Sequence, residues 1–400
     1  MKKYILKGRL IDGVSDNALE NGLLCFGETI EYAGPAEGFR VPEGSEILDA
    51  GRNTILPGFI DCHAHLSGDE DSGGSSFFGD QLLGAAHQMG VLLDAGFTGL
   101  RDMSEAGLYL SRAVSRGILR GPRILPGGKI LGVTGGHVDA SLHLPKELSN
   151  ATDHSHRLVD GVDDCVLGVR EQFRAGARFI KVCATGGVSS PGDSVDDVQF
   201  SPDELKAIVE ETKRHHGYVA AHCTGNEGAY QALKAGVSSI EHGVFLTQRE
   251  IDLMAELGVP LVTTLAVSLG VAKLPDLPGW MAAKAKGCAE ANVKTIAMAR
   301  KAGIGIALGT DFSNTKNFPY KNNGAEFVAM VEAGMTPMEA VKAGTSNAAR
   351  LMMDGRIGSL EIGKLADIVV VEGDPLADIK ALRGSEKVMM VFQGGKRVKG

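Results

Sequence analysis

Paired cysteines, long apolar runs and basic clusters are all missing from this chain of 400 residues. The six cysteines, Cys25, Cys62, Cys165, Cys183, Cys223 and Cys288, are widely spaced and form no C-x-x-C pair. Neither a disulfide framework nor a thiolate zinc site is therefore supported, and a reducing cytoplasm is the expected compartment. No apolar run is long enough to cross a bilayer, and Lys7, Arg9 and Asp12 interrupt the start before a signal-type apolar segment can form. Membrane partners are not expected. The net charge of −8 and a pI near 5.8 argue against a surface for polyanions, so no nucleic-acid partner is expected. Lys387, Lys396, Arg397 and Lys399 are scattered among apolar residues and read as a solvated strand face. Tryptophan is nearly absent too, with Trp280 the single example.

What is present suits a large, loop-rich α/β enzyme: 44% hydrophobic residues and 54 glycines. From about Ile55, short β-branched runs alternate with longer helical patterns, which is the signature of repeated βα units and a parallel sheet. The candidate strands are Ile55–Asp61, Thr98–Asp102, Arg123–Pro126, Phe179–Cys183, Tyr218–His222, Ser239–Glu241, Pro260–Leu265 and Ile304–Gly309. Eight such units predict a (β/α)8 TIM barrel, with a doubly wound sheet as the alternative. Ser201-Pro202-Asp203-Glu204 and Thr336-Pro337-Met338-Glu339 each predict a capped helix start, with a hydroxyl, a proline and a glutamate in the required order.

Both ends differ from this middle. Residues 1–54 carry short alternating strands, and 358–400 carry two more after the last helix; together they predict one small β-sandwich domain into which the barrel, 55–357, is inserted. Two stretches, Gly127 to about Cys165 and Ser268–Met281, interrupt the rhythm. Long insertions after barrel strands fall on the catalytic face, where they act as lids.

The chemistry starts from His63 and His65. Residues two apart on a strand point the same way, so an H-x-H at a strand end delivers half a metal site. A bare pair of this kind is weak, but the other predicted strands end in Lys181, His222, His242 and Asp311. Neutral imidazoles and a carboxylate are suitable ligands for Zn²⁺ and related ions, and barrel enzymes place their sites at this face. Lys181 is the odd member, because an ammonium repels a cation; either it snorkels its charge to the barrel mouth, or its neutral amine takes up CO₂ as an anionic carbamate. Cys62, Cys183 and Cys223 each neighbour one of these positions and read as small core residues.

With these residues in view, the chain resembles the amidohydrolase superfamily over most of its length. The resemblance is carried by Pro57-Gly58-Phe59-Ile60-Asp61-Cys62-His63-Ala64-His65, by Lys181, by Ala184-Thr185-Gly186-Gly187, by His222, by Glu241-His242-Gly243, by Gly309-Thr310-Asp311, and by the tail from Ile357 to Val369. Gly132-Val133-Thr134-Gly135-Gly136-His137 and Cys183-Ala184-Thr185-Gly186-Gly187-Val188-Ser189-Ser190 are most similar to the Xaa-Pro dipeptidase and arginine/lysine carboxypeptidase group. That resemblance implies a hydrolase of amide or peptide bonds in dipeptides or N-acyl amino acids. It also implies two divalent metals, with zinc as the first choice and Mn²⁺, Co²⁺ and Fe²⁺ as alternatives. His63, His65 and Asp311 would hold one metal, and His222 and His242 the other. Carboxylated Lys181 and a hydroxide would bridge them, and Asp311 would act as the proton shuttle. His137 matches a position that binds substrate near the scissile carbonyl, and a homo-oligomer is implied. Where relatives often carry a tyrosine for the substrate carboxylate, this chain has Cys223-Thr224-Gly225 after His222. Hydrolysis of a cyclic amide, as in imidazolonepropionase, is the alternative. Deamination is disfavoured because deaminases lack the bridging lysine, and a non-catalytic scaffold because all six ligand positions are filled.

Overall fold

The computed structural model describes residues 2–66 and 77–400. Eight strands, labelled β1 to β8, build a barrel: Phe59–Ala64 (β1), Phe97–Asp102 (β2), Arg123–Pro126 (β3), Ile180–Cys183 (β4), Val219–Cys223 (β5), Ser239–His242 (β6), Leu261–Thr263 (β7) and Ile306–Leu308 (β8). Neighbours pair in parallel and in chain order, which rules out the doubly wound alternative. The ladder from β4 to β8 joins β1–β3 at both seams. At one, Arg178 N, just before β4, donates to Pro126 O at the end of β3; at the other, Thr310 N donates to His63 O and His65 N to Phe312 O. Buried apolar side chains fill the space between strands and helices, among them Ile180, Val182, Val219, Ala221, Ile240 and Leu261. Both expected helix starts carry reciprocal capping boxes, Ser201 with Glu204 and Thr336 with Glu339.

Strands from the two ends interleave in a single seven-stranded sheet. Its order runs Lys396–Lys399, Val388–Gln393, Ile368–Val371, Glu46–Pro57, Tyr4–Leu10, Leu19–Phe26, Ile30–Pro35. Laid flat, the strands bearing Phe26 and Phe392 would stand about 19 Å apart at ~4.8 Å per strand. Their rings are 5.1 Å apart, so the sheet curls over a shared core that also holds Tyr4, Ile55 and Ile368. Sandwich-like packing is thus achieved by one sheet folding on itself.

The expected strand from Ile55 divides in two. Residues through Pro57 pair with Ile368–Val371 in the terminal sheet, and the barrel strand starts at Phe59. Gly58 makes the break: a Cβ there would lie 2.1 Å from Thr98 Oγ1, and its N–H donates to Asp367 O. The two interruptions of the βα rhythm are ordered in structure. Gly127–Cys165 contains strands Ile130–Gly132 and His156–Leu158 and helix Lys146–Thr152, while Ser268–Met281 falls on helices Leu265–Val271 and Gly279–Ala285. Among the described residues, no helix is long and apolar enough to cross a membrane.

Candidate active site

All seven residues singled out from the sequence line one cavity of about 340 Å³: His63, His65, His137, Lys181, His222, His242 and Asp311. The volume lies in the range of small-molecule sites. The cavity opens at the C-terminal ends of the barrel strands, where parallel strands direct their last side chains and loops toward the axis.

His63 and His65 reach it from the end of β1, and Asp311 from the loop after β8. Asp61 ties the two together: its carboxylate accepts from His63 N at 3.0 Å, Thr310 N at 3.0 Å, Thr310 Oγ1 at 2.7 Å and Asn323 Nδ2 at 2.7 Å. Complete burial raises Asp61 to about 6 despite those donors. Asp102 does similar work behind His65, accepting from the backbone N–H of Leu66, Ser104 and Gly107. His65 Nε2 lies 2.9 Å from Asp311 Oδ1 and His63 Nε2 lies 3.5 Å from it. One ligand atom each from His63, His65 and Asp311 falls within 4.8 Å of the others, a spacing that can hold a metal ion.

Lys181, His222 and His242 close the other side. Lys181 Nζ is 3.2 Å from His63 Nε2, and the His242 ring lies 4.7 Å from that of His63 and 4.6 Å from that of His222. His242 Nδ1 contacts Thr264 Oγ1 at 2.8 Å, whereas His222 Nε2 sits 3.1 Å from Thr224 Oγ1 and 3.2 Å from Gly186 O. His242 (φ 66°) and Asp311 (φ 59°) occupy the left-handed region, an uncommon and strained conformation that functional sites concentrate.

Electrostatics fit the residues to a cation. Burial drives His63, His222 and His242 well below the usual imidazole range, so they are neutral and keep a lone pair for a ligand role. Burial also lowers Lys181, easing loss of the proton that would block its amine. Burial pushes Asp311 upward, but the hydrogen bond from His65 and the fields of His63 and Lys181 outweigh it and hold the carboxyl well below the ordinary value. The thiols of Cys62 and Cys183 are pushed up to about 12 by burial and stay protonated, in keeping with core roles, although Cys183 also borders the cavity.

His137 reaches the cavity from the loop after Ile130–Gly132 and stacks on His222 at 4.4 Å. Gly187 permits this, because a Cβ there would fall 2.2 Å from the His137 ring. His137 Nδ1 contacts Ser190 Oγ at 2.8 Å, and burial lowers the ring to about 4. Lys284, from the insertion after β7, donates to Gly187 O, Ser190 O and Asp193 Oδ1 at 3.0, 2.6 and 2.6 Å. Sequence reasoning assigned no role to Asp61, Arg101, Glu241, Thr264 or Lys284. Asp61 and Glu241 lie inside motifs that carried the resemblance; Arg101 and Lys284 have no local sequence signal, since their partners are distant in the chain.

Comparison with known proteins gives the family. The chain is 35% identical to ochratoxinase of Aspergillus niger over 377 residues, covering 86% of this chain and 76% of that protein. A prolidase solved with N-methylphosphonate-L-proline superposes with a TM-score of 0.91 at 32% identity, each chain covered in full. A Xaa-Pro dipeptidase with methionine bound in its active site gives 0.89 at 32% identity, also in full. Residues 54–398 match the amidohydrolase family, and the chain belongs to that family.

Proposed function

We propose that this protein is a binuclear metal-dependent hydrolase of amide or peptide bonds, acting on dipeptides or N-acyl amino acids. The observation that carries the reading is the convergence of His63, His65, Lys181, His222, His242 and Asp311 on one cavity at the C-terminal face of the barrel. In it, 55–357 is the catalytic barrel, and 1–54 with 358–400 the small β domain.

His63, His65 and Asp311 are assigned to one divalent ion and His222 and His242 to the other, with zinc the first choice. Lys181, lowered by burial, would add CO₂ to its neutral amine, releasing a proton and leaving a carbamate able to contact both ions. When bound, such ions lower the pKa of a water and polarise the substrate carbonyl. Asp311 takes up the proton as the water attacks and delivers it to the departing amine nitrogen, which without it is a poor leaving group. His137, which lines the cavity and contacts Ser190, is assigned to orient the substrate near the scissile carbonyl.

The described lining is largely apolar, with Ile130, Val138, Val188, Val244, Val271 and Met281, and Lys181 is its single lysine or arginine. Substrates with a bulky apolar group are therefore favoured, and Ser155, Ser189, Thr224, Thr264 and Ser268 are the hydroxyls offered to a polar end. The similar proteins described as a prolidase and a Xaa-Pro dipeptidase support the dipeptide class. The test is a panel of dipeptides and N-acyl amino acids with zinc and bicarbonate supplied. Expected is hydrolysis of apolar members, abolished by a chelator and restored by zinc; a zinc-loaded enzyme inactive on the whole panel, or activity indifferent to chelation, would overturn the reading.

A further inference from the structure

Behind His63 lies a pair of opposite charges that the proposed reaction does not use. Arg101, near the end of β2, and Glu241, on β6, are both completely buried. Arg101 Nη2 donates to Glu241 Oε1 at 2.7 Å and Oε2 at 2.6 Å, Nε donates to Cys62 O, and Nη1 lies 3.3 Å from both Tyr218 Oη and Ser239 Oγ. Glu241 Oε1 accepts from Ser239 Oγ at 2.5 Å, and Oε2 lies 2.8 Å from His63 Nδ1. A buried ion pair adds little net stability over a well-packed apolar replacement, because desolvation offsets the attraction. This pair has something else to do: it aims one carboxylate oxygen at one ring nitrogen.

We propose that Glu241, clamped by Arg101, is a positioning residue that fixes His63 as its Nδ1–H tautomer and so turns the Nε2 lone pair toward the ion held with His65 and Asp311. The inference rests on the metal-dependent reading above. A carboxylate paired with a guanidinium offers only acceptors, so the 2.8 Å contact requires the proton on Nδ1. With Nδ1 turned to Glu241, Nε2 is the ring nitrogen on the side that faces Asp311 and Lys181. Carboxylate–imidazole–metal chains of this kind set ring orientation and raise ligand basicity. Arg101 matters through Glu241: its Nη2 reaches both carboxylate oxygens, while Nε and Nη1, engaged by Cys62 O, Tyr218 Oη and Ser239 Oγ, fix the guanidinium plane and so restrict rotation of the carboxylate.

Two variants of the full chain separate positioning from packing. Arg101→Met with Glu241→Leu removes both charges together, so folding is expected to stay close to wild type by circular dichroism and thermal melting. Zinc affinity, read by competition with a chromophoric chelator, is expected to fall roughly 10- to 100-fold for one equivalent per chain. Glu241→Gln alone, compared at a temperature where its spectrum matches wild type, is expected to weaken the same equivalent. Wild-type zinc affinity in either folded variant would overturn the positioning role and leave the pair purely structural. Wild-type protein that binds no zinc would instead sink the functional reading beneath it, so the two failures are distinguishable.

Discussion

Asp311 combines three demands in one side chain: it contacts His65, it is held ionised although half-buried, and it sits at φ 59°. The backbone angle makes Asp311→Asn a clean probe, since asparagine tolerates the left-handed region as well as aspartate does. The variant keeps shape and volume but cannot take up a proton as a carboxylate does. Its kcat is expected to fall by roughly 10²- to 10⁴-fold with an unchanged circular dichroism spectrum; near-normal turnover with zinc bound would remove the proton-transfer role. At this scale the histidines and Asp311 were legible because each is a polar residue at or just beyond the end of an apolar run, and Lys181 because it interrupts one, Phe179–Ala184; both are local signals. Arg101 was not, because the residue that explains it, Glu241, is 140 positions away and only the closed barrel brings the two together.

Among the elements, the insertion after β7 shows what local patterning leaves out. Its residues lack a strong period, so the stretch reads as a loop, yet two anchors order it against the cavity. At its start, Glu326 accepts from Leu265 N at 2.9 Å and Ala266 N at 2.7 Å; at its end, Lys284 grips the loop that orients His137. Both anchors are tertiary contacts, invisible to a reading of neighbouring residues. Lys284→Met keeps the stem length and removes three donors to Gly187, Ser190 and Asp193. KM is expected to rise about tenfold with a smaller change in kcat, a loss of the size of one charged hydrogen bond, and limited proteolysis within 265–288 is expected to quicken. A pure kcat effect would place Lys284 in the chemistry instead. Glu326 gives the same element a pH signature. Burial raises its carboxyl from the ordinary 4.5 to about 7, so between those values the folded protein binds a proton that the unfolded chain has lost. Stability through this group therefore declines as pH rises from 4.5 to 7 and levels off above. Glu326→Gln removes the slope, so the variant should gain on wild type across that window, by on the order of 1 kcal/mol per pH unit in denaturant titrations. A parallel pair of curves would show that Glu326 does not titrate this way.

For the whole molecule, the barrel and the terminal sheet are one mechanical unit. The chain runs from the terminal strand Glu46–Pro57 through Gly58 directly into β1, which ends at the two histidines. Further ties cross between the parts: Gly58 N donates to Asp367 O, Gln393 Nε2 to Thr98 O and Gly121 O, and Arg123 pairs with Asp367. The alternation of strands at both ends made a composite β unit legible; its curl was not, because it depends on Phe26, Tyr4 and Phe392 meeting across strands far apart in the sheet. Phe392→Ala tests the coupling. Emptying that aromatic cluster should cost about 3–5 kcal/mol, lowering the melting temperature by several degrees in calorimetry. Because β1 is continuous with the damaged sheet, the barrel should melt with it in one transition, while kcat well below that temperature stays at the wild-type value. Two separated transitions, with the barrel melting where it does in the wild type, would show that the terminal sheet merely accompanies the catalytic barrel and does not hold His63 and His65 in place.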